Sequence, residues 1–227
     1  MHTHAEAPRP LTHRITATFI APRRLLADFR AGTRWLDVLV ISTAVAILSV
    51  YLLPEAFFVE QMRDAVTRRG DPVDITSSPA EIARWGRYLG MLTALVSHPL
   101  FALGLAGLLT LLFTVLGGAT TSFHDHLSLT SHAFLIPAVG SLLALPLQYL
   151  TGNATAQFSP ALFLTSTDSL PLLVISGLDL FTVWMLVVIA IWLGGLNENL
   201  STIRAAAVLL GLYLTLNVIT AALITSA

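Results

Sequence analysis

Hydrophobic positions in this chain come in long blocks separated by short polar stretches, and five of the blocks are long enough to cross a hydrocarbon core of roughly 30 Å. The first is Leu36 to Pro54. The second lies within Tyr88 to Leu116, which exceeds one crossing. It predicts a helix that starts outside the membrane, enters near Leu95 and is kinked by Pro99. The third is Ser128 to Leu150, interrupted by Pro137 and Pro146. The fourth, Leu170 to Gly195, carries one acid, Asp179, inside an apolar helix, and the fifth is Ala205 to Ile224. Between them lie a charged stretch with a turn at Gly70, Asp71 and Pro72, a short loop after Gly118, a polar linker from Thr151 to Ser169, and the turn NENLST. Ser78, Pro79 and Glu81 read as a helix cap, a first-turn proline and a capping-box acid, and Ser169 with Pro171 as a similar start. The short NENLST turn makes the last two spans an antiparallel hairpin.

Residues 1–34 differ in pattern from the rest. Ile15, Phe19, Leu26 and Phe29 alternate with Arg14, Arg23, Arg24 and Arg30, which predicts a basic amphipathic helix lying in the membrane interface with its arginines toward anionic headgroups. A plainer reading of the same pattern is the charged flank that precedes many first spans. The chain then divides into a cytosolic segment, 1–34, and a transmembrane domain, 35–227.

Composition agrees with the blocks. Of 227 residues, 55% are hydrophobic and 11% charged, and the mean hydropathy is +0.78; a soluble domain is about a quarter charged. The absence of Cys excludes disulfides and thiolate metal sites, and a formal charge of -1 argues against nucleic acid as a partner. All basic residues are Arg, the codon signature of a GC-rich, bacterial genome. Arginines at 9, 14, 23, 24, 30 and 34 flank the first span, whereas the linker between spans three and four has none. The N-terminus is therefore expected inside and the C-terminus outside.

Adjacent antiparallel spans can be compared in depth at about 1.5 Å per residue. Reflection through NENLST places Asp179 level with Thr220 and one turn from Asn217, with Gln148 and His98 near the same outer third. His98, Gln148, Asp179, Asn217 and Thr220 thus form an expected intramembrane polar layer. A carboxylate near mid-membrane costs about 2.5 to 3.5 kcal/mol and needs a partner or a proton. One acid among neutral partners fits interhelical hydrogen bonding better than an ion site. Gly104 and Gly107, and Gly194 and Gly195, are small-residue positions where another helix can approach. His124, Asp125 and His126 lack a third ligand, and His2, His4 and His13 are unevenly spaced, so no metal site and no cofactor is expected.

Three runs in order, GG-ATTSF from Gly117, SHAFLIP from Ser131 to Pro137, and LDLFTVWMLVVIAIWLGGL from Leu178 to Leu196, resemble the membrane domain of the Yip family, the Ypt- or Rab-interacting membrane proteins, in its bacterial branch. Asp179, Phe181 and Trp184 carry the strongest part of the likeness, which extends from Leu36 to the C-terminus. The resemblance implies five spans and a cytosolic N-terminus. In eukaryotic members it implies non-enzymatic scaffolds of early secretory membranes that associate with small GTPases and with one another. The chain departs from that pattern in its short N-terminal segment and in His132, where many relatives have Tyr.

The expectation from sequence is a non-catalytic, multi-pass protein of the cytoplasmic (inner) membrane, acting as a scaffold or accessory subunit through protein partners within the bilayer or as a homo-oligomer. The alternative is a transporter or channel component built on the layer around Asp179. A third reading, a pigment- or haem-binding subunit using His98 or His132, has no attachment motif to support it.

Overall fold

The computed structural model describes residues 9–32, 34–69, 78–153, 156–163 and 169–226, and among them every regular element is helical. The turn expected at Gly70, Asp71 and Pro72, and His2 and His4, lie outside the described residues. In order, the chain forms α1 (Leu11–Ile20), a 3-10 turn (Pro22–Leu25), α2 (Leu26–Arg30), α3 (Leu36–Tyr51) and α4 (Glu55–Arg69). There follow α5 (Pro79–Leu109), extended by a π-helical turn (Thr110–Val115), α6 (Phe123–Ala133) and α7 (Leu135–Thr151). After a 3-10 turn (Pro160–Phe163) come α8 (Leu170–Ser176), α9 (Leu180–Leu196) and α10 (Thr202–Ser226).

Three helical stretches are long and apolar enough to cross a membrane: Pro79–Val115, Phe123–Thr151 and Thr202–Thr225. Two bent pairs, α3 with the start of α4 (80°) and α8 with α9 (66°), raise the number to five if each is one span. The fold is thus that of a multi-pass membrane protein.

Local chemistry sets the helix ends. The Ser78 side chain accepts from the Glu81 N–H and Pro79 occupies the first turn of α5, as the sequence suggests. Ser122 and Asp125 cap each other's backbone at the start of α6, which assigns Asp125 a structural task in the HDH triplet. Span three begins at Phe123, earlier than Ser128, and breaks only at Phe134. Pro137 explains that break: it has no N–H for the Ala133 carbonyl and its ring crowds it.

α6 is the axis of the bundle, with every residue from His126 to Ala133 buried and with α3, α5 and α9 around it. α10 packs on α8 and α9, and α4 folds back on α5. Two glycines make these approaches possible. Gly194 lies against the backbone of Thr202 so closely that a Cβ has no room, and Gly140 faces the Phe181 ring in the same way.

The N-terminal segment does not float on the surface. Its apolar stripe meets protein: Ala17, Leu25 and Phe29 are buried in the main core beside Leu129, Ile189 and Trp192. α1, the 3-10 turn and α2 therefore form a collar around one end of the bundle, and residues 1–34 are not a separate unit in the part described.

Candidate functional site

The fourth apolar run holds the correction with the widest consequence. Asp179 is not inside a helix; it is the N-cap of α9, in extended conformation after a break that begins at Gly177. Breaking a helix leaves amides and carbonyls without partners, a state that lipid does not tolerate. Each is met here. The Asp179 carboxylate accepts from both the N–H (2.7 Å) and the hydroxyl (2.8 Å) of Thr182. The Leu180 N–H donates to the Phe158 carbonyl (2.9 Å), and Gln157 donates to the Ser176 carbonyl (3.3 Å). Tyr213 of α10 closes the set: its hydroxyl donates to the Gly177 carbonyl (2.7 Å) and accepts from the Asp179 N–H (3.2 Å).

The expected layer is brought together only in part. Gln148 and Asp179 line one cavity of about 390 Å³ between α7 and α9, with Ser141, Gln157 and Thr182. Gln148 donates to the Ala156 carbonyl (3.1 Å), leaving its buried carbonyl oxygen without a partner. His98 lines an adjoining cavity of about 300 Å³ that shares Ser141 and Gln148, but it bonds Ser42 (3.1 Å) in the middle of α3 and stacks edge-on against Phe134. It therefore sits beside the middle of α3 and does not line the Asp179 cavity. Asn217 sits against Gly177 and donates to the Tyr213 carbonyl (2.9 Å). Thr220 is exposed and outside the cluster. The reflection that placed Thr220 beside Asp179 missed the register because the hairpin pivots where Gly194 meets Thr202. Tyr213, not Thr220, is the α10 residue that reaches Asp179.

The small-residue positions separate into two kinds. Gly194 and Gly195 are filled by the chain itself, through Thr202 and the Leu26 side chain. Gly104 and Gly107 face open space on an exposed stripe of α5 with Val96, Leu100, Leu103 and Leu111.

At the collar end a second polar cluster went unread in the sequence. Arg14, expected at headgroups, is buried and forms an ion pair with Asp37 while donating to the Arg34 carbonyl (2.6 Å). The apolar stripe of α1 packs inward and carries Arg14 with it. Arg23, Arg24 and Arg30 remain exposed. His126 is fully buried between the hydroxyls of Thr110 (2.9 Å) and Thr121 (3.0 Å), and His132 bonds the Ser128 carbonyl (2.8 Å) beneath Phe29. Among the described residues no three His, Asp or Glu side chains are placed to share a metal ion.

Set against models of known families, curated proteins and solved structures, the chain matches none of them.

The runs singled out in the sequence occupy defined places. GG-ATTSF leads into α6; Asp179 caps α9, Phe181 fills the space at Gly140, and Trp184 faces outward.

Proposed function

We propose that the chain is a non-catalytic protein of the cytoplasmic (inner) membrane that works by assembly, as a scaffold or accessory subunit, with five spans, the N-terminus inside and the C-terminus outside. In this reading it is a bacterial relative of the Yip membrane proteins. The observation that carries it is a contrast. Most polar groups within the spans find partners in the chain itself, as at Asp179, His98 and His126, while none of the described residues packs on the α5 stripe at Gly104 and Gly107. In lipid, where apolar burial gives helices little drive to associate, open small-residue faces allow close backbone contact with a partner helix.

Gentle extraction from native membrane, followed by native mass measurement, tests this. A homo-oligomer or a stoichiometric partner complex is expected, and Gly104→Leu with Gly107→Leu is expected to dissociate it. The same double variant should leave the monomer's melting point unchanged, because among the described residues nothing lies within 4 Å of either added Cβ. A wild-type chain that is monomeric and alone overturns the proposal.

A transport role is the second reading, favoured by the cavity that Asp179 and Gln148 share. Asp179 separates the two. As a cap, Asp179→Asn keeps an oxygen for the Thr182 N–H and changes stability little, whereas Asp179→Ala costs about 1 kcal/mol. As a transport site, Asp179→Asn abolishes flux in reconstituted vesicles at unchanged stability; normal flux would remove that reading.

A further inference from the structure

The collar has two faces. Ala17, Thr18, Leu25, Asp28 and Phe29 turn inward, and Ile20, Arg23, Arg24, Ala27 and Arg30 are exposed at helical spacing on the other side. Its depth is fixed by two hydrogen bonds. The Trp192 ring N–H donates to the Pro22 carbonyl (2.7 Å), and Arg30 donates to the Gly195 carbonyl (2.7 Å). Trp192 lies four residues before the last residue of α9, so Pro22 sits about 6 Å inside the helix end. The outer stripe is thereby held level with the final turn of an apolar helix, where lipid headgroups begin.

Its charge is uncompensated. Asp28, the acid of the collar, is buried and paired with Arg9 (3.7 Å), and Asp37 at the start of α3 is taken by Arg14. Arg23 and Arg24 make no ion pair among the described residues, and Arg30 has a neutral carbonyl as its partner. Beside them Ile20 is 77% exposed. An isoleucine next to three guanidinium groups without an acid partner among the described residues is out of place in water. At a headgroup boundary the apolar side chain reaches acyl carbon while the guanidinium forks grip phosphate oxygens.

We propose that Ile20, Arg23, Arg24 and Arg30 form a binding surface for the phosphodiester headgroups of anionic phospholipids. This rests on the reading of the chain as an integral membrane protein. Each arginine at such a surface strengthens binding about fivefold, and added salt weakens it.

The test uses the full chain in nanodiscs of equal phosphatidylglycerol and phosphatidylcholine, with retained lipids counted by native mass spectrometry. The wild type is expected to retain phosphatidylglycerol over phosphatidylcholine by about 25-fold or more, from two or more arginine contacts. Arg23→Gln with Arg24→Gln should cut the ratio to about fivefold or less, the share Arg30 alone can hold, Arg23→Lys with Arg24→Lys should keep most of it, and Arg84→Gln, on the exposed start of α5, should leave it unchanged. All three positions are exposed, and matching melting points confirm that the variants fold. Equal retention of the two lipids by the wild type, or enrichment that Arg23→Gln with Arg24→Gln leaves undiminished, overturns the proposal. So does complete displacement of the lipid by millimolar inorganic phosphate, which would mark a free-phosphate site. A chain that does not enter nanodiscs at all sinks the membrane reading instead, and is told apart by its absence from the disc fraction.

Discussion

Trp192→Ala is expected to lower folding stability by about 3 kcal/mol or more, as truncation of a buried aromatic does, and to release the collar. The indole is fully buried, lies edge-on to Phe29 at 5.1 Å, and donates its one hydrogen bond to the Pro22 carbonyl. Phe29 in turn lies edge-on to His132 at 5.1 Å. Truncation therefore empties the contact that joins collar, α6 and α9, and leaves the Pro22 carbonyl without its donor. Trp192→Phe separates the two effects: it keeps the ring contact and loses the hydrogen bond, for about 1 kcal/mol. Denaturant titration in detergent reads the stability, and amide exchange over residues 11–30 reads the docking. Unchanged exchange in Trp192→Ala would mean that the collar is held elsewhere.

The apolar blocks were legible because bilayer length is a coarse requirement that runs of twenty apolar residues meet without reference to neighbours. The break in the fourth block was not, although its signals were present. Gly177 followed by Asp179, with Thr182 three residues on, is a helix stop and a helix start in close succession. Hydropathy alone cannot see it, since the leucines and valines on either side make one unbroken run. Tyr213 was invisible for a different reason. A hydroxyl that satisfies a carbonyl on another helix is identified by register, and register depended on how closely Gly194 approaches Thr202.

The collar shows the same division. Periodicity at Ile15, Phe19, Leu26 and Phe29 predicted an amphipathic segment, and α1 and α2 are helical with an apolar face. Periodicity does not say whether that face meets lipid or protein. The deciding residue is Asp37, which stands one position into α3 and gives an inward-facing Arg14 somewhere to go. His124, Asp125 and His126 drew attention as a metal motif, yet they are a capping acid with a buried histidine that joins α5 to the start of α6.

The Arg14–Asp37 pair should respond asymmetrically to mutation. The Arg14 side chain is 5% exposed and that of Asp37 32%. Removing the acid strands a cation in a dry place, where the Arg34 carbonyl is its remaining hydrogen-bond partner. Removing the cation leaves a carboxylate that water can reach and that still accepts from the Val38 N–H (2.8 Å). Asp37→Leu is therefore expected to cost about 3 kcal/mol, the range for a buried charge left unpaired. Arg14→Leu should cost about 1 kcal/mol, in line with a charged hydrogen bond lost where the remaining partner can be hydrated. With both replaced, no charge is stranded, so the double variant should be more stable than Asp37→Leu alone, with a coupling of about 1 to 3 kcal/mol in the mutant cycle. Additive losses would show that the two side chains do not act as a pair. Equal single losses would place Asp37 in surroundings as dry as those of Arg14.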